Sequence, residues 1–199
     1  DNLTNVDGED IRVVHIDFTS TAPGDGTFEN PYTSIDSANG AGSQQGDIIL
    51  VHAQNGANVY NGQSLTLQDE QRFLGEGGGI EHEVVTQQMG TVILPPTFDG
   101  ALNATRPTLQ NAPGVAVTLA GTTLESENFS QMEVSNFDIT GGTNAVKSGA
   151  NGVAAVNINN LHITSTTSNA IELAAMNQTL ENGTTRSRFA PTIDEIEFD

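Results

Sequence analysis

With 199 residues, the chain is long enough for one domain with a hydrophobic core. Aromatic residues make up only 5% of the chain and cysteine is absent, so aliphatic side chains must build the core, and disulfides and thiolate metal sites are excluded. A formal net charge of −19 repels nucleic acid, anionic lipid and acidic polysaccharide at long range.

The acidic surface and the hydropathy pattern indicate where such a chain is used. No apolar run reaches membrane-spanning length and no signal peptide is recognisable, so we expect no membrane insertion and a mature or excised piece. The charge suits an extracellular surface, high salt or bound divalent cations. We therefore expect a secreted or cell-surface protein.

The N-terminal residues predict an arm followed by a strand. Residues 1–10 are polar and acidic, which favours a flexible arm before a single domain over residues 11–199. Asp7, Glu9 and Asp10 could hold calcium, although their spacing differs from that of an EF-hand loop. From residue 12 to residue 18 apolar and polar side chains alternate, which predicts a strand.

A short helix and a buried strand are predicted next. Pro31 suits the first helical position with Asn30 as its N-cap, so we predict a helix over about residues 31–40. Ile35 and Ala38 would give it an apolar face that covers the open end of the fold. Residues 48–51 are continuously apolar and predict a strand, and shorter strands are predicted at residues 65–67, 72–74 and 92–94.

The clearest feature is a repeat over residues 132–198. Residues 136–140 return as residues 160–164, and residues 193–198 match residues 158–163, which gives a period of about 24 residues. Each copy has short apolar strands separated by an Asn turn, with Asn136 and Asn160 stacked at the corner. We therefore predict the coils of a parallel β-helix, a solenoid repeat, and regard a β-sandwich as the alternative.

Two further stretches carry a resemblance to a known superfamily. Residues 25–32, the predicted short helix and residues 46–52 resemble right-handed parallel β-helix proteins of the pectin-lyase-like superfamily. Residues 65–77 are similar to large bacterial secreted or cell-surface β-helix repeat proteins. The resemblance covers about residues 12–198 and implies an all-β, right-handed parallel β-helix with a short N-terminal capping helix. The superfamily includes lyases, hydrolases, adhesins and phage spikes, so the fold leaves activity open.

Enzymatic motifs of that superfamily are missing. A polysaccharide lyase would need carboxylates that hold calcium beside a basic proton acceptor, but the only lysine is Lys147. The paired-Asp and Gly-His-Gly motifs of polygalacturonases are also absent. We therefore predict a non-catalytic structural or adhesive module without a catalytic residue or obligate cofactor, calcium being the one candidate ion. A carbohydrate-binding or carbohydrate-active domain is the alternative, with carbohydrate as the partner.

One constellation could carry chemistry. The repeat places Asp138, His162 and Glu197 at equivalent outward positions on consecutive coils, about 4.8 Å apart. Such a column could bind a divalent metal or transfer a proton. The alternative is an ordinary polar column in which His162 is stabilised between two carboxylates.

The last copy suggests self-assembly. Ile193, Ile196 and Phe198 begin a third coil that the sequence does not complete, and a solenoid needs covered ends. Either a longer chain continues the stack, or the arm or the first strand of another copy, through Val13 and Ile16, pairs with it. Head-to-tail contacts without rotational closure would produce a filament.

Overall fold

The protein was analysed as a computed structural model. It describes residues 3–5, 8, 10–21, 24–54, 58–96, 98–120, 132–179 and 185–199, without the side chains of residues 178, 179 and 185–188. The described part is all-β, and its helices are short 3-10 turns at Ile35–Ala38, Gly40–Gly42 and Ala101–Asn103. None of these helices is long and apolar enough to cross a membrane.

The strands are numbered in chain order. The first eight are β1 (Val13–Ile16), β2 (Ile48–Val51), β3 (Val59–Asn61), β4 (Leu65–Leu67), β5 (Arg72–Gly75), β6 (Glu83–Thr86), β7 (Gly90–Ile93) and β8 (Thr108–Gln110). The others are β9 (Val115–Leu119), β10 (Met132–Thr140), β11 (Asn144–Ser148), β12 (Ala155–Thr164), β13 (Ile171–Glu172), β14 (Met176–Thr179), β15 (Thr185–Arg188) and β16 (Ala190–Phe198).

Two parallel sheets form the body of the molecule. The first has the order β1-β2-β5-β10-β12-β16, and β8 with β3 pairs along the second half of β10. The second sheet has the order β13-β11-β9-β4. Every pairing within these sheets is parallel, whereas β6–β7 and β14–β15 are antiparallel hairpins.

The repeat sets the register of the last three strands of the first sheet. Asp138 on β10 lies opposite His162 on β12, and Ile158 on β12 lies opposite Ile193 on β16. Asn136 and Asn160 have left-handed backbones, with φ of 69° and 50°, and thereby bend β10 and β12 in the middle. The pairing predicted from the repeated sequence is confirmed.

The core between the sheets consists mainly of aliphatic side chains. Phe73 and Phe137 stack inside it with ring centroids 4.2 Å apart. Five apolar residues of the repeated strands are all at most 2% exposed: Val134, Ile139, Ile158, Leu161 and Ile163. Because alternate strand residues point inward, the remaining positions form an outer face. There Ile48, Leu50, Leu74 and Val84 make a second, smaller apolar cluster.

The predicted helix over residues 31–40 is shorter and of a different type. The carbonyl of Asn30 accepts the N–H groups of Asp25 and Gly26, and Tyr32 pairs with β1 through its N–H and C=O. Residues 30–32 are therefore committed to a turn and an extended contact, and the 3-10 helix starts only at Ile35. Ile35 and Ala38 are fully buried, as the predicted apolar face required.

Described residues of the N-terminal arm contact the body of the protein. Thr4 pairs with Asp10, and its backbone N–H donates to the side chain of Gln88 at 3.0 Å. Its carbonyl accepts the N–H of Gln87 at 3.0 Å. The described part of the arm thus lies against the β6–β7 hairpin.

Candidate functional site

The predicted column of Asp138, His162 and Glu197 is aligned by the strand register. Its contacts differ from the prediction, because the Nε of Arg106 lies 2.9 Å from Asp138 Oδ1. His162 Nε2 is 2.9 Å from Asp199 Oδ2, and its Nδ1 is 3.7 Å from Asp138. The arginine already supplies a positive charge at this column, so the contacts resemble an ordinary surface network.

Metal binding at either predicted place remains a prediction. Within the described residues, no group of three His, Asp or Glu side chains is placed to hold a metal ion. Of the proposed calcium ligands, Asp7 and Glu9 lie outside the described residues, and Asp10 is exposed.

The predicted assembly residues lie on the two opposite edges of the first sheet. On β1, Ile16 is fully buried and Val13 packs in the outer apolar cluster. On β16, Ile193 is 48% and Phe198 is 60% exposed, whereas Ile196 packs against the core. Exposed apolar side chains are therefore present on β16, whereas β1 itself carries none and Phe28, in the segment beside β1, is 56% exposed.

Residues 26–32 cover the outer edge of β1. The N–H of His15 donates to the carbonyl of Gly26 at 2.8 Å, and the carbonyl of His15 accepts the N–H of Tyr32 at 2.9 Å. The N–H of Asp17 donates to the carbonyl of Tyr32 at 2.8 Å. These backbone groups are already paired, so an incoming strand would have to displace residues 26–32.

A cleft of about 1130 Å³ lies over the outer face of the first sheet. It is bounded by the arm, the β6–β7 hairpin and the loop before β2, and its size suits a small-molecule or short-polymer ligand. Among the described residues, no aromatic side chain lines it. Its charged lining consists of Asp10, Arg12, Asp47, Glu70, Arg72, Glu83 and Glu133.

Two arginines partly neutralise the cleft. Arg12 lies 2.9 Å from Asp47, and Arg72 lies 2.7 Å from Glu133. Burial nevertheless raises the pKa of Asp47, against the lowering effect of the Gln44 N–H and of Arg12. Arg72 also donates to the carbonyl of Glu83 at 2.8 Å, so it fastens the hairpin to the sheet. The cleft can therefore offer polar ligands both guanidinium donors and carboxylate acceptors.

A cluster of titratable side chains lies at the opposite, C-terminal end of the same strands. His15 Nδ1 and His52 Nε2 share a hydrogen bond of 2.8 Å, and the two rings are within 6° of parallel. His52 Nδ1 lies 3.0 Å from Glu76 Oε1, and Glu76 Oε2 accepts the N–H of Ala53. His52 and Glu76 are buried and His15 is half-buried.

Burial makes His15 a weak base. It lowers the pKa of His15 to about 4, His52 lowers it further, and Glu76 and Glu29 oppose this. Phe28 sets its ring edge-on against both imidazoles, at 5.4 Å from His15 and 6.2 Å from His52. The cluster joins β1, β2 and β5 to the loop that covers the sheet edge.

Sequence reasoning missed both the cleft and this histidine cluster. His15 and His52 are 37 positions apart and belong to strands whose spacing does not repeat. One signal was available, because His52 and Glu76 each directly follow a short apolar strand. Parallel strands end at one edge of a sheet, so aligning these strand ends would have placed the two residues together.

A comparison with protein-family models, curated proteins and solved structures found no match for this chain. Function must therefore be inferred from its own residues.

Proposed function

We propose that this chain is a non-catalytic structural or adhesive module of a secreted or cell-surface protein, built as a right-handed parallel β-helix of the pectin-lyase-like kind. Support for the architecture comes from the parallel register of β10, β12 and β16, which follows the sequence repeat. The strongly acidic surface, with a net charge of −19, is compatible with an extracellular location.

The observation that carries the proposed role is the difference between the two edges of the first sheet. Residues 26–32 occupy the edge of β1, whereas no described strand pairs with the outer side of β16. The exposed Ile193 and Phe198 lie on that second edge. A strand edge with apolar side chains favours the addition of a further layer, either more coils of a longer chain or another molecule.

The more specific form of this proposal is that copies of the chain assemble head to tail into filaments. In such a filament the β16 edge of one copy would meet the N-terminal end of the next copy. The parallel register Ile158–Ile193 shows the kind of pairing that an added layer would continue. Such a contact would also have to displace residues 26–32 from β1.

Light scattering with size-exclusion chromatography over a hundredfold range of concentration tests the edge. We expect concentration-dependent association that Ile193→Lys weakens, because a charge on an edge strand opposes pairing. Val85→Lys is the matched control, since Val85 is also exposed but lies on the β6–β7 hairpin. A wild-type protein that stays monomeric throughout would refute self-assembly, and equal effects of both variants would refute the β16 edge as the contact.

Carbohydrate binding is the second candidate, and the cleft over the sheet favours it. Arg12 and Arg72 present planar guanidinium donors there, beside carboxylates that can accept hydrogen bonds from hydroxyl groups. We expect neutral oligosaccharides to bind, because the excess of carboxylates repels acidic ones. Calorimetry with Arg72→Met compared with Arg106→Met tests this, because Arg106 pairs with Asp138 and does not line the cleft. An unchanged affinity in Arg72→Met would refute binding in the cleft.

A further inference from the structure

We propose that His15, His52 and Glu76 form an acid-sensitive latch that holds residues 26–32 over the edge of β1 and releases them when both histidines are protonated. The uncovered edge would then be an interaction surface for the β16 edge of a second copy. The latch stands on the geometry of the cluster, and only the choice of partner rests on the proposed function.

The contacts determine how many protons His15 and His52 can bind while the hydrogen bond between them is kept. Because Glu76 Oε1 lies 3.0 Å from His52 Nδ1, its charge favours a proton on that nitrogen. His52 Nε2 can then accept a hydrogen bond from His15 Nδ1 across 2.8 Å. One extra proton leaves this bond intact, because His15 can take it at Nε2, where it does not touch the bond. If His52 Nε2 takes it instead, that N–H donates to His15 Nδ1 once His15 carries its own proton at Nε2. A second proton places two N–H groups face to face, and the bond must break.

The surroundings make the second proton costly in the closed state. Glu76 and Glu29 attract positive charge to His15, while the His52 ring repels it. His82 faces Glu76 and is itself buried, with Glu133 and Arg72 as its other charged neighbours. The carboxylate of Asp17 is occupied by Thr19 and by the side-chain amide of Gln54. No cation other than the histidines and Arg72 is among these groups.

Opening of the latch separates the two protonated imidazoles, so their repulsion is relieved. The same step uncovers the edge of β1. His15 supplies both the titrating ring and the backbone N–H and C=O that bind Gly26 and Tyr32. The ring of Phe28, on the covering segment, packs edge-on against both imidazoles. If His15 turns away from His52, the covering segment loses its ring contacts and its backbone contacts together.

Amide exchange measured by NMR at pH 7 and pH 4.5 tests the latch. After correction for intrinsic rates, we expect protection of the His15, Asp17 and Tyr32 amides to fall about tenfold at pH 4.5. The amides that join β10 to β12 should be unaffected. His15→Gln should keep the protection in acid, because an amide can bind His52 without titrating. His162→Gln, a substitution at a histidine on β12, should behave like the wild type.

Two results would overturn the proposal. One is equal protection of the three amides at both pH values in the wild type, and the other is the same acid loss in His15→Gln as in the wild type. If His15→Gln does not fold, titration of the imidazole carbon-bound protons in the wild type decides. Full protonation of both rings while the three amides stay protected would refute the latch. Light scattering at the two pH values measures assembly separately from amide protection. If the latch opens in acid without association, the second copy is refuted as the partner and the latch itself stands.

Discussion

Asn160 donates a hydrogen bond from Nδ2 to Oδ1 of Asn136 across 2.8 Å, and both residues have left-handed backbones. Asn136 in turn donates to the carbonyls of Gly75 and Gly77, at 2.6 and 2.9 Å, and is fully buried. The two side chains therefore connect the corners of β5, β10 and β12 by a short hydrogen-bonded ladder.

Removing the inner side chain of this ladder should be costly. Asn136→Ala removes one donor from each of the buried carbonyls of Gly75 and Gly77 and takes away the acceptor of the Asn160 side-chain amide. It also places alanine, which lacks a polar side chain, at a positive φ. We expect the free energy of unfolding in urea to fall by about 2–4 kcal/mol. Asn111→Ala is the control, because Asn111 has φ of 51° but is exposed. Equal losses in both variants would show that the ladder contributes nothing beyond backbone strain.

A pair of aligned isoleucines tests the register of the core. Ile158 is fully buried, whereas Ile193, opposite it on β16, is 48% exposed. Ile158→Ala should cost about 2–5 kcal/mol because it leaves a cavity, and Ile193→Ala should cost less than about 1 kcal/mol. Urea unfolding of both variants provides the measurement. A loss below about half a kcal/mol for Ile158→Ala would mean that the register is wrong.

The Arg72–Glu133 pair should be coupled in a double-mutant cycle. Arg72→Met leaves the half-buried Glu133 carboxylate without its guanidinium and removes the bond to the Glu83 carbonyl. We expect a loss of about 1–3 kcal/mol, of which Glu133→Gln in the same chain recovers a part. The free energy of unfolding is measured in urea for both single variants and for the double variant. If the losses of the two single variants add up in the double variant, the two side chains do not interact as an ion pair at the cleft.

Divalent cations should stabilise the folded protein. A net charge of −19 produces self-repulsion in the compact state, and bound or condensed cations relieve it. We expect calcium to raise Tm at millimolar concentration in differential scanning calorimetry. Sodium chloride at equal ionic strength is the control, and an identical rise with both salts would exclude a specific calcium site.

The repeated part of the fold was predictable because neighbouring layers there are neighbours in the sequence. Asn136 and Asn160 are 24 positions apart in the sequence, and this spacing predicts both the turn and the register of the strands. Between β5 and β10 the same sheet continues, yet Arg72 lies opposite Glu133 across 61 positions. The β6–β7 hairpin, a 3-10 turn and strands β8 and β9 lie between β5 and β10 in the chain. The sequence therefore shows no repeat that would predict the contact between Arg72 and Glu133.

The helix propensity of the local sequence also gave a wrong helix start where tertiary contacts determine the backbone conformation. Asn30 and Pro31 carry a helix-start signal, but β1 binds the backbone at Tyr32 and the helix begins later. The column of Asp138 and His162 was placed correctly by register, while Arg106 and Asp199 come from outside the repeat pattern. Strand register predicts which positions align, and it does not predict which distant side chains reach them.

The order of strands in the first sheet has a mechanical consequence. From β1 to β16 the sheet follows the order of the chain, so its two edges hold the first and the last strand. A pulling force applied between these strands crosses every backbone ladder and loads the hydrogen bonds in tension rather than in shear. Under such a load the ladders give way one after another, and an outer strand can peel away while the layers behind it still hold.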